Sequence, residues 1–169
     1  MTNDSHTSLQ AAFRGRLASN PDGKALAFFN PDGSYTWRTF GEFYETGCGC
    51  GSILSEMGVS RGDVCVFMLP SNEMSANALF GSLLIGALPL MVAPPVVRGL
   101  HSNLKDVLEY VVKTTSARMV VLEDDEKILG EALQESYLKT SILYTSALLR
   151  GGDPAAAPLA YRAYYRDLV

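Results

Sequence analysis

Hydrophobic and polar positions change period several times along this chain, and each change marks an element. After Ser8, the residues Leu9, Ala12, Phe13, Arg16 and Leu17 follow a 3.6-residue spacing. They predict a short amphipathic helix ending at the turn Asn20-Pro21-Asp22-Gly23. Residues 25–29 (ALAFF) and 34–37 (SYTW) then flank Asn30-Pro31-Asp32-Gly33. There proline presets φ and glycine accepts a positive one, so a β-hairpin is expected. Thr39 stands where it can N-cap a helix from about residue 40 to 57, and Gly58 where a missing Cβ suits a left-handed C-cap. The middle of that helix reads Gly47-Cys48-Gly49-Cys50-Gly51. Each glycine costs a helix about 1 kcal/mol relative to alanine, so either close packing offsets the loss or the helix breaks there.

From Asp63 onward strand and helix patterns alternate: strand 64–69, helix about 72–85, strand 88–92, helix about 102–115, strand 118–122, helix 126–135, strand 141–144. These are three consecutive βαβ units. The strand texts VCVFML, LPLMV and RMVVL are unbroken apolar runs, as parallel strands covered on both faces require. The expected fold is α/β: a parallel, doubly wound sheet of about four strands with flanking helices and right-handed crossovers, preceded by an N-terminal helix and a β-hairpin. The expected domains are 1–62 (helix, hairpin, helix), 63–149 (the βαβ core) and 150–169 (linker and tail). In the tail, Tyr161, Tyr164, Tyr165 and Leu168 want burial with nothing following to provide it, which suggests a piece of a larger protein. Tyr164, Tyr165 and Arg162 are read either as stacking on a base or as a strand awaiting neighbours.

Composition narrows the class. The 169 residues, 47% hydrophobic and 19% charged, suit a globular core and exclude a disordered tail, a collagen and a disulfide knot. Fourteen Lys+Arg against eighteen Asp+Glu leave a net charge of −4, so there is no basic field for nucleic acid or an anionic membrane. Three cysteines and a polar N-terminus without a signal peptide point to a reducing cytoplasm. The longest apolar stretch, residues 79–97, is interrupted by Gly81, Gly86, Pro89, Pro94 and Pro95, so no transmembrane segment is expected.

Candidate chemistry is sparse. The Gly47-x-Gly49-x-Gly51 run lacks the G-x-G-x-x-G spacing of a dinucleotide loop and reads better as small residues for helix packing. Cys48, Cys50 and Cys65 with His6 and His101 lack zinc-site spacing and read as buried free thiols. Neither a Gly-x-Ser-x-Gly elbow nor a Walker loop occurs, and no catalytic, cofactor-binding or metal-binding residue is assigned. What remains is the carboxyl edge of the expected sheet: Leu69-Pro70-Ser71-Asn72, Ala93-Pro94-Pro95 and Glu123-Asp124-Asp125. Ser71 and Asn72 can hold a polar substrate group there, or simply cap the following helix, which is the favoured reading. The run Glu123-Asp124-Asp125-Glu126 is read as a cation site or, preferably, as a solvated helix start.

The order of these pieces resembles the start of the adenylate-forming (AMP-dependent synthetase/ligase) superfamily. The resemblance is carried by Ala25-Leu26-Ala27-Phe28-Phe29, Tyr35-Thr36-Trp37-Arg38-Thr39-Phe40, Gly58-Val59-Ser60-Arg61-Gly62-Asp63-Val64, Leu69-Pro70-Ser71-Asn72 and the stretch from Ala78 through Gly81 and Gly86-Ala87-Leu88-Pro89-Leu90. Ala93-Pro94-Pro95 is similar to the exit of the fatty acyl-AMP ligase and acyl-CoA synthetase branch. The resemblance implies a parent ligase that activates a carboxylic acid, of the fatty class, with ATP and Mg²⁺ to an acyl-adenylate, with CoA or an acyl carrier protein as acceptor. It also implies that the ATP loop, the Mg²⁺-binding glutamate and the catalytic lysine lie beyond Val169. This chain is then scaffold, inactive alone, whose partner is the remainder of the ligase. The alternative is a non-catalytic α/β module, stand-alone or half of a split enzyme, that binds a partner chain through an apolar surface.

Overall fold

The computed structural model describes residues 8–30, 32–94, 104–136 and 139–149. Pro31, Pro95, His6, His101, Ser102 and the tail from residue 150, with its tyrosines, lie outside the described residues. The chain divides into two compact units, Met1–Thr46 and Gly47–Val169.

The first unit holds α1 (Leu9–Ser19), the antiparallel hairpin of β1 (Lys24–Phe29) and β2 (Tyr35–Thr39), and the first turns of α2 (Phe40–Glu56). Ser8 caps α1 by accepting the Ala11 N–H at 3.1 Å. The expected apolar stripe is used only in part. Phe13 packs edge-on against Phe40 and Phe43, at 5.5 and 5.8 Å between ring centres, whereas Leu9 in the first turn is 70% exposed. In the hairpin turn Gly33 has φ +86°, and Asp32 accepts hydrogen bonds from the Ser34 N–H and hydroxyl. Thr39 does cap α2, within a reciprocal box: its hydroxyl accepts the Glu42 N–H at 3.2 Å, and the Glu42 carboxylate accepts the Thr39 N–H at 2.8 Å.

The second unit is built on a four-stranded parallel sheet of β3 (Val64–Met68), β4 (Leu88–Val92), β5 (Met119–Leu122) and β6 (Ser141–Tyr144), in the order β4-β3-β5-β6. Its helices are the rest of α2, α3 (Glu73–Leu84), α4 (Leu104–Thr115), α5 (Lys127–Ser136) and α6 (Thr145–Leu149). Alternation along the strands separates two cores. Cys65, Phe67, Met119 and Val121 meet Leu54 of α2, Ala78 of α3 and Leu148 of α6 on one face. Val66, Met68, Val120 and Leu122 meet Leu108 and Val112 of α4 and Leu129 and Leu133 of α5 on the other. The sheet is therefore doubly wound. The short α6, which lacks a long apolar period of its own, is the element the sequence pattern does not announce.

The glycine run does not break α2, because two helix backbones meet there. A Cβ on Gly81 of α3 would lie 2.6 Å from Gly47 O, 2.8 Å from Cys50 Cβ and 2.8 Å from Gly51 N. A Cβ on Gly51 would stand 2.9 Å from Gly81 O, and one on Gly47 would enter the Phe80 ring at 2.5 Å. Both helices then close with left-handed glycines. Gly58 (φ +86°) and Val59 return N–H bonds to Ser55 and Leu54, both at 2.9 Å. Gly86 (φ +75°) and Ala87 return theirs to Leu83 and Ser82, at 3.0 and 2.9 Å.

A glycine-to-alanine change in an open helix gains about 1 kcal/mol. Gly81→Ala is expected to do the opposite and lose about 1–3 kcal/mol, read from the urea midpoint, because its methyl meets backbone. Stabilisation by this variant would show that the helices do not touch there.

Candidate functional site at the carboxyl edge of the sheet

The helices leaving neighbouring strands β3 and β5 go to opposite faces: α3 packs in the core with Phe67, α5 in the core with Val66. Chain reversal of this kind opens a crevice at the carboxyl ends of the strands, where α/β proteins bind ligands. Its rims are residues 69–72 after β3 and 123–126 after β5, so the sheet brings together two of the three expected loops. In the third, Ala93 and Pro94 follow β4, at the sheet edge beside β3.

Ser71 and Asn72 are both exposed on this rim. Asn72 is spent on the helix: its Oδ1 accepts the Ser75 N–H at 3.1 Å, while the Asn72 N–H donates to Ser75 Oγ at 3.1 Å. Of the two sequence readings, capping is what the Asn72 side-chain oxygen does, while its amide nitrogen and the Ser71 hydroxyl lie on the β3 side of the rim.

Asp124 has a different role from the one its acidic run suggested. It reaches across to the start of α6, accepting the Thr145 hydroxyl at 2.9 Å, the Ser146 N–H at 3.0 Å and the Ser146 hydroxyl at 2.6 Å. The Ser146 and Thr145 hydroxyls hold its carboxyl below the usual aspartate range. Asp124 thus caps a helix one strand away and ties the β5 exit to the β6 exit. Tyr144 ends β6 with its hydroxyl pressed on Gly130 of α5, where a Cβ would collide with it. Burial first, then the negative charges of Glu131 and Asp124, push the Tyr144 phenol up. Sequence reasoning missed Tyr144, Thr145 and Ser146; the available signal was a Thr-Ser pair directly after an apolar strand, a helix-start pattern.

Among the described residues no three His, Cys, Asp or Glu side chains cluster to hold a metal ion. At the α3 N-terminus, where a phosphate would seek backbone N–H groups, those of Asn72 and Ser75 are already taken by the capping box. The cysteines are free thiols; burial pushes Cys50 up to about 11, and burial with the nearby Asp63 charge pushes Cys65 up to about 12. No described helix is long and apolar enough to cross a membrane.

Residues 13–161 match the model of the AMP-binding enzyme family. The chain belongs to that family. No curated protein matches this AMP-binding enzyme chain in sequence. Its fold is shared with a fatty acyl-adenylate ligase from L. pneumophila, solved with acyl adenylate and pyrophosphate (TM-score 0.69, 16% identity, 90% of this chain and 25% of that one). It is shared also with the adenylation domain of a keto acid-selecting NRPS module (TM-score 0.73, 15% identity, 91% and 28%). A third is an acyl-CoA synthetase from Brucella canis (TM-score 0.61, 19% identity, 76% and 25%). The chain spans about a quarter of the length of these relatives.

Asp124→Asn is expected to lower stability at neutral pH, where the carboxylate is ionised. Because the folded value is depressed, the gap between variant and wild type narrows as the pH falls through about 3.9 and below. Circular dichroism melts from pH 7 to pH 2 read it, and a gap independent of pH would refute the tie. With thiol values so high, Cys50 and Cys65 are expected to stay unmodified by a thiol-selective disulfide reagent at pH 8 until urea unfolds the chain. Mass mapping of rapid labelling at either residue in the folded protein would contradict this.

Proposed function

We propose that this chain is the N-terminal subdomain of a ligase that activates a carboxylic acid, of the fatty class, with ATP to an acyl-adenylate and pyrophosphate. The match of residues 13–161 to the AMP-binding enzyme family carries the reading. A fatty acyl-adenylate ligase that shares the fold over 90% of this chain supports the choice of acid. The parent enzyme uses ATP and Mg²⁺ and passes the acyl group to CoA or a carrier protein, in the cytoplasm.

Within that parent, residues 1–169 act as scaffold. Adenylation depends on positioning the carboxylate against the α-phosphate and on neutralising phosphate charge. Among the described residues no three His, Cys, Asp or Glu side chains gather to hold a metal ion, and at the carboxyl edge the capping box of Asn72 and Ser75 occupies the start of α3. Ser71 and Asn72 are our candidates to line the substrate pocket, through the Ser71 hydroxyl and the Asn72 amide nitrogen at the rim of the crevice.

A stand-alone or split-enzyme module is the second reading, and one observation favours it. Edge strand β4 leaves Leu88 and Met91 55% and 42% exposed, an apolar sheet edge that a further chain can cover.

ATP–pyrophosphate exchange with a panel of fatty acids separates the readings. The expected result is no exchange by residues 1–169 alone and fatty-acid-dependent exchange by the complete open reading frame. Exchange by the 169-residue chain would overturn the scaffold role, and an inactive complete frame would favour the module.

A further inference from the structure

The amino-terminal edge of the sheet, opposite the crevice described above, carries a concave surface of its own. An open groove of about 630 Å³ lies at the amino ends of β3, β5 and β6. Lys113, Arg118 and Lys139 line it with Asp63, over a floor that includes the buried Val112 and Ala117. We propose that this groove binds a small molecule bearing a phosphomonoester.

Charge is the first argument. Three cations and one carboxylate line the groove, with a second carboxylate, Glu109, bound behind the lining Ser136 hydroxyl at 3.3 Å and paired with Lys105, although the whole chain carries a net charge of −4. Asp63 is engaged locally, one of its oxygens accepting the Ser60 N–H at 2.8 Å. No hydrogen bond or ion pair among the described residues occupies the ammonium of Lys113 or Lys139.

Arg118 is held in place for this task. Its Nε donates to Gly58 O at 3.3 Å and its Nη1 to Lys139 O at 3.5 Å, so the guanidinium bridges the end of α2 and the entry to β6. A Cβ on Gly58 would stand 2.9 Å from Nη2, so the planar group lies against a glycine that leaves room for it. A fork fixed in this way loses little entropy when it meets an oxyanion. The C-terminus of α4 ends at the same groove, and its carbonyls oppose an anion. Two of them are already closed: Val112 O accepts the Ala117 N–H at 3.2 Å, and Val111 O the Thr115 hydroxyl at 2.7 Å.

Ligand chemistry follows from the count and the size. A carboxylate brings one charge and two oxygens, whereas a phosphomonoester brings about −1.5 to −2 and three oxygens, enough to meet three cations together. A volume of about 630 Å³ exceeds that of a bare ion and falls in the range of small-molecule sites, and Val112 and Ala117 give an organic body an apolar floor. The site stands on its own residues and does not depend on the adenylation reading.

Calorimetric titration of the 169-residue chain with phenyl phosphate at low ionic strength tests it, with benzoate as a carboxylate of similar body. One saturable site is expected, with binding about tenfold or more weaker in the Lys113→Gln/Lys139→Gln double variant and about tenfold or more weaker for benzoate. Both lysines are exposed, so circular dichroism of the variant should match wild type. Lys105→Gln, which removes a cation paired with Glu109 at 3.4 Å elsewhere on α4, should leave binding unchanged. Absence of saturable heat, equal binding by the double variant, equal loss in Lys105→Gln, or benzoate as tight as phenyl phosphate would each overturn the assignment.

Discussion

A parallel sheet with apolar side chains on both faces must be covered twice, and the second unit is organised by that requirement. All four residues of β5, Met119 to Leu122, are buried, two against each core. Uncovering either face would expose at least Val120 and Leu122, or Met119 and Val121, at about 25 cal/mol per Å² of apolar surface. The layers therefore set how closely the helices must approach one another. On the α2–α3 side they approach until backbones touch, which glycine at 51 and 81 permits, while Gly47 leaves room for the Phe80 ring. The intrinsic helix cost of those glycines is offset by packing that no larger side chain would allow.

The same winding gives the two ends of the sheet different characters. At the carboxyl end, α3 and α5 depart to opposite faces, and two side chains there hold backbone: Asn72 caps α3 and Asp124 caps α6. Such commitments hold that rim in place. At the amino end, Lys113, Arg118 and Lys139 converge on one groove although they come from separate segments of an acidic chain. The first of these ends is the candidate functional site; the cationic groove lies at the other end, on side chains of separate segments.

Local rules legible in the sequence decided a good deal. Unbroken apolar runs alternating with the 3.6-residue period placed the βαβ units, Gly33 and Gly58 marked left-handed positions, and Thr39 marked the start of α2, each because the deciding interaction lies within a few residues. The motif order carried the family, and the apolar runs carried a parallel sheet covered on both faces. Tertiary structure alone decided matters that join distant residues: the strand order β4-β3-β5-β6, and the glycine contact that keeps α2 whole. The capping of α6 by Asp124 from 22 residues upstream and the gathering of three cations at one edge are of the same kind. A residue's period records which face it turns, whereas what that face meets is fixed only when separate segments pack together.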